Sequence, residues 1–194
     1  MRICRRLVTR AFEGVTWLAV AAAAVTVPQA LPTLAARSSE ATAEEAHVRG
    51  TTSQMRRALD DGAGISMTVA ALVRRIEASD VIVHLAPLDH PHAAFDGDLQ
   101  FAAAAPGARY LRIRIRPELL RSELLAMIGH ELQHAVEIAE APSVVDNRSM
   151  EALYRAIGYQ HQSGHYETDA ARLVAARVLF EAGGPMITIV RRPR

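Results

Sequence analysis

In the segment IGHELQHAVEIAE, from Ile128 to Glu140, two histidines stand four residues apart with a glutamate directly after the first. On a helix, side chains at i and i+4 share a face one turn apart, so His130 and His134 can aim their imidazoles at one point. Both can then reach an ion at the roughly 2.0–2.1 Å that zinc–nitrogen bonds require. Glu131 lies about 100° further round the helix. It is better placed to take a proton from water at the metal than to bind the ion, which is the mechanical content of the H-E-x-x-H pattern. The competing reading is an amphipathic helix whose polar face happens to hold these three residues. Leu124, Leu125, Ile128, Leu132, Ala135 and Val136 cover much of the circumference, so the helix should be buried. Two buried histidines and a carboxylate without partners would be costly, which favours the metal.

Catalytic zinc usually takes three protein ligands and keeps one position for water. The metzincin spacing H-E-x-x-H-x-x-G-x-x-H is absent, because Glu137 stands in place of its glycine and Glu140 in place of its third histidine. Glu140 is a rival ligand by spacing alone. AVEIAE is good helix sequence, however, and should carry Glu140 past the ion. Glu137 and Glu140 therefore read as the solvated end of the helix. His90 and His92, in DHPH, read as a polar loop, with metal binding the alternative. His161, His165 and Tyr166 could donate a hydrogen bond to an oxyanion, against the alternative of a polar loop at the mouth of the site. Tyr154 and Tyr159 read as packing residues.

These side chains need elements to hold them. A short helix around Met55 to Leu59 precedes SMTVAALVRRIEAS, where Val69, Leu72, Val73 and Ile76 share a helical face, with Ser66 as N-cap and Ile65 as its staple. DVIVHL is β-branched and nearly all apolar, the pattern of an interior strand. LQFAAAA is a weaker strand, and Pro106-Gly107 turns the chain into YLRIRIRP. There Leu111, Ile113 and Ile115 alternate with Arg112, Arg114 and Arg116, predicting one buried face and one exposed cationic face. Those arginines either select acidic side chains or an anionic polymer along a cleft, or protect an edge strand. Ser122 is the expected cap of the motif helix, which runs to about Ala139. A short helix, MEALYRAIG, and a last one, YETDAARLVAARVLFEAGG, stopped by its glycine pair, complete an α+β arrangement with a small three-stranded sheet packed on the motif helix.

The N-terminus reads as a separate segment. Arg2, Arg5, Arg6 and Arg10 precede GVTWLAVAAAAVTV, an apolar run of 14 residues. That is the form of a secretory signal, short for a membrane span of about 20 residues. Residues 1–36 are thus expected to be a signal peptide or an uncleaved membrane anchor, 37–50 a linker and 51–194 the folded domain. The first 36 residues hold four arginines and Glu13, which leaves a net −2 from the chain's +1 for the remainder. This balance argues against nucleic acid as a partner. The only cysteine, Cys4, lies in the basic segment, so the domain has no disulfide and no cysteine chemistry. All 22 basic residues are arginine, which excludes a phosphate-loop lysine and Schiff-base catalysis.

The pair of motifs HELQH and YETDAARL resembles the gluzincin metallopeptidases, in particular the E-x-x-A-D-R-L pattern of the CAAX-prenyl-protease-like group. The resemblance covers two helices. It implies a zincin-like fold, with Glu167 on a second ligand-bearing helix as the third zinc ligand, Ala170 as the small residue and Arg172-Leu173 as the end of the pattern. It also implies an aspartate four residues after the ligand glutamate to orient a zinc-binding histidine. Here that position is Ala171, and Asp169 is on the wrong side of the helix to replace it. The orienting group must come from elsewhere or be missing. The leading expectation is an exported zinc metallopeptidase of a bacterial envelope or secretome, acting on peptide or protein substrates. His130, His134 and Glu167 would hold Zn²⁺, and Glu131 would be the catalytic base. The alternative is a zinc-binding interaction protein with a degenerate site.

Overall fold

The alternation of YLRIRIRP becomes β4 (Ala108–Ile115), whose Leu111, Ile113 and Ile115 are fully buried. The computed structural model describes residues 46–89, 95–160 and 165–189. β4 lies inside a four-stranded sheet of order β1-β2-β4-β3, with β1 (Val48–Gly50), β2 (Val81–Pro87) and β3 (Gly97–Ala105). β1, β2 and β4 run parallel, and β3 is antiparallel to β4 through a turn in which Gly107 has φ +81°. The positive φ explains why glycine follows Pro106 there. The sheet has four strands rather than three, because Val48–Gly50, within the expected linker, pairs with Val83–Leu85. Three residues are too few for any period to register.

The helices are α1 (Ser53–Ile65), α2 (Met67–Glu77), α3 (Arg121–Ala139), α4 (Asn147–Ile157) and α5 (Asp169–Glu181), and a short ribbon pairs β5 (Tyr159–Gln160) with β6 (Tyr166–Glu167). The architecture is mixed α+β. Ser66 caps α2 as expected, its hydroxyl accepting from Val69 N at 3.0 Å. Ser122 does not cap α3. The helix starts one residue earlier, at Arg121, and the Glu123 carboxylate accepts from Leu120 N at 3.3 Å instead. α3 packs against β2, β3 and β4 on the face carrying Val83, Leu85, Leu99, Leu111 and Ile113. The expected signal segment lies outside the described residues. Among those described, no helix is long and apolar enough to cross a membrane.

The three arginines of the alternating run do not form one exposed cationic face. Arg112 is exposed, but Arg114 makes a two-point ion pair with the fully buried Asp98, Nε to Oδ1 at 2.9 Å and a second bond at 2.5 Å. Arg116 pairs with the buried Asp96 at 3.1 Å. β4 is also hydrogen-bonded on both sides, so it has no edge to protect and none to offer an extended substrate.

The more consequential arginine precedes the alternating run. Arg109 points inward, buried to 4% exposure, and its guanidinium binds both oxygens of Asp80 at 2.8 and 2.6 Å. Its other nitrogen donates to the carbonyls of Ile138, Ala141 and Val144 at 2.8, 2.9 and 3.2 Å. Carbonyls at a helix C-terminus have no partner within the helix. Arg109 supplies one, locking the end of α3 to the sheet. Arg109→Met keeps the apolar stem and removes the fork. It is expected to cost about 3 kcal/mol in urea unfolding, the low end for breaking a buried pair because Asp80 stays half-exposed. A loss below about 1 kcal/mol would mean that those carbonyls find other donors.

Candidate metal centre

His130, Glu131 and His134 sit in the middle of α3, and all three are fully buried. The helix can go so deep because Gly129 admits α5. A Cβ there would lie 2.7 Å from Val178 Cγ2 and 3.4 Å from Val174 Cγ1. The glycine next to the first histidine thus serves helix packing. On the sheet side, β3 passes close over Glu131. A Cβ at Gly97 would lie 3.1 Å from Glu131 Oε1 and 2.9 Å from Met127 Sδ.

Glu167 reaches the same place by a different route from the one expected. It is not on the last helix. It ends β6, one residue before Thr168, whose hydroxyl caps α5 by accepting from Ala171 N at 3.1 Å. Thr168 and Asp169 favour a cap and a first turn rather than a continuing helix, so YET stays extended. Gly158 permits this hairpin, since a Cβ there would lie 2.5 Å from the Glu167 carbonyl oxygen. On a strand neighbouring side chains alternate, so Tyr166 faces away from Glu167. Its hydroxyl accepts from Arg155 Nε at 3.0 Å and faces Glu151 Oε1 as its acceptor at 3.5 Å, both on α4.

The Glu167 Oε1 atom lies 3.5 Å from His130 Nε2 and 3.7 Å from His134 Nε2, too far for hydrogen bonds. Ligand atoms of the three residues all fall within 4.8 Å of one another, the group that could hold a metal ion among the described residues. A tetrahedral ion with bonds near 2.1 Å separates its ligand atoms by about 3.4 Å, so two of the three edges already match. Among the described residues, His134 Nε2 and both Glu131 oxygens are buried and make no hydrogen bond. Such atoms are costly unless something polar meets them.

The charges follow from this crowding. Burial raises the Glu131 pKa well above 4.5, opposed by the nearby His134 charge and reinforced by Asp98, Glu167 and Glu137. Burial would lower that of His134, but the charge and hydrogen bond of Glu137 outweigh it and raise it to about 10. For Glu167, burial is again opposed, by the charges of His130 and His134, and its pKa falls to about 2. The charge of His134 and the charges of the Glu137 and Glu167 carboxylates thus favour one another.

Of the remaining candidates, Glu140 ends α3 in solvent and pairs with Arg75 on α2, away from the cluster. Glu137, read as solvated, is instead nine-tenths buried, and its Oε2 lies 2.8 Å from His134 Nδ1. Tyr154 packs its ring edge-on to His134 at 5.4 Å and donates to the His134 carbonyl at 2.9 Å, a bond beyond the packing role expected of it. His165 lies against Phe95 at 5.1 Å. His90, His92 and His161 lie outside the described residues. The Glu137 contact was readable in principle, because i and i+3 are neighbours on a helix. Thr168 and Gly97 carried no comparable signal, since their roles depend on segments distant in sequence. No protein-family model, curated protein or solved structure matches this chain.

Proposed function

We propose that this chain is a zinc-dependent metallopeptidase of gluzincin type, exported and active on peptide or protein substrates. The observation that supports this reading most is the meeting of three ligand side chains, from two distant segments, beside a buried carboxylate whose oxygens accept no hydrogen bond among the described residues. Two imidazoles and one carboxylate are a donor set that zinc accepts in catalytic sites. A zinc ion held there supplies Lewis acidity toward a substrate carbonyl and toward water. His130, His134 and Glu167 hold and orient the ion. Glu131 is the proton carrier: its burial raises its proton affinity, so it can take a proton from the attacking water and return it to the leaving amine.

The test is metal content followed by turnover. Protein purified without added zinc is expected to carry about one zinc per chain, lost in His130→Ala and in His134→Ala. Incubated with an unfolded protein, it is expected to generate new N-termini detectable by mass spectrometry. Cleavage should stop with a chelator and return with zinc. Zinc without cleavage would favour the binding-module reading, and chains with no zinc would sink both.

A further inference from the structure

We propose that Glu137 is a positioning residue that ties the two halves of the metal site together, supplying from the motif helix itself the orienting carboxylate absent at Ala171. The inference rests on the metal reading of His130, His134 and Glu167. Its basis is two hydrogen bonds from one carboxylate. Oε2 meets His134 Nδ1 at 2.8 Å, and Oε1 accepts from the Thr168 hydroxyl at 2.8 Å. An ionised carboxylate can only accept, so it fixes the proton of His134 on Nδ1 and turns Nε2 toward Glu167. The second bond acts on the other segment. Thr168 follows Glu167 directly, and its N–H donates to Glu167 Oε1 at 2.9 Å, the atom nearest both histidines. A carboxylate three residues after the second histidine thus holds the ring of one ligand and the backbone beside another.

The arrangement has a distinctive consequence. Carboxylates behind a metal-bound histidine usually act on that ring alone, at roughly 10- to 100-fold in affinity. Glu137 acts on two ligands, so the His134 and Glu167 segments should respond together to its loss. The Thr168 hydroxyl has two duties, donating to Glu137 and capping α5. Glycine at an N-cap loses little compared with alanine, so Thr168→Gly removes the donor while largely sparing the helix.

The experiment strips the full chain of metal and titrates it with Co²⁺ against a competing chelator, reading affinity and the visible d–d spectrum. Wild type is expected to bind one Co²⁺ per chain with a four-coordinate spectrum. In Glu137→Gln the affinity should fall about 10-fold or more, with a shifted spectrum, and Glu137→Asp should recover part of it. Thr168→Gly should weaken binding several-fold and add little in the Glu137→Gln background, because both act through one carboxylate. If Glu137→Gln binds Co²⁺ within about twofold of wild type and with the same spectrum, Glu137 only packs, even if the metal-free variant melts earlier. If that variant does not fold, unchanged Co²⁺ affinity in Thr168→Gly overturns the proposal instead. Wild type that binds no Co²⁺ overturns the metal reading itself, a result distinct from either.

Discussion

Glu167→Ala is expected to lose the metal, while Glu140→Ala keeps it. An outer carboxylate behind a ligand contributes up to roughly 100-fold in affinity, so removing one of three ligands outright should cost more than that. Glu140 can contribute nothing comparable, because its side chain is 64% exposed at the end of α3 and pairs with Arg75. Glu167 also matters to the metal-free protein. Its pKa is about 2 in the fold against 4.5 unperturbed, so the stability it adds is present above 4.5 and is lost as pH falls toward 2. Loss of metal could therefore be confused with loss of fold. Glu167→Gln, which keeps the shape, should be folded by circular dichroism and still bind zinc weakly by equilibrium dialysis. Zinc retained in Glu167→Ala and lost in Glu140→Ala would place the third ligand on α3 and end the gluzincin reading.

The parts of this site that were legible in sequence are those governed by short periods. The i, i+4 spacing of His130 and His134 brings their rings to 4.9 Å, and the apolar ring of residues around them does bury α3. The strand at YLRIRIRP and the Pro106-Gly107 turn followed from alternation and from the need for positive φ. What failed depended on pairing between distant segments. β1 is too short to show a pattern, and Arg109 was masked by the arginines that follow it. Helical sequence follows Glu167 and the gluzincin resemblance implies a helix there, yet the cap at Thr168 leaves it extended. An acidic residue late in a helix is usually solvated, so the sequence alone hides the burial of Glu137. The missing aspartate was itself a signal: a buried histidine still needs an acceptor at Nδ1, and Glu137 was the acid within reach.

Glu131→Gln is expected to lower turnover by at least about 10²-fold, the usual contribution of a general base, while leaving zinc bound. The amide has nearly the same shape, so His130, His134 and Glu167 keep their places, but it cannot carry the proton. The same substitution should make the metal-free protein more stable, which a merely structural carboxylate would not do. Glu131 is fully buried, its oxygens accept no hydrogen bond among the described residues, and burial raises its pKa well above 4.5. A group with a raised folded pKa stabilises the fold fully below its unfolded pKa and loses that contribution as pH rises. Above 4.5, folding must therefore either bind a proton or bury a charge, and glutamine does neither. In urea titrations of the metal-free proteins, the variant's advantage should widen by about 1.4 kcal/mol per pH unit from that point until the folded-state pKa is passed. A carboxylate kept at such a cost in the fold is what a proton-transfer role requires. Turnover preserved in Glu131→Gln would assign proton transfer to another group. Zinc lost from it would make Glu131 a ligand, and the geometry of the centre would have to be redrawn around four side chains.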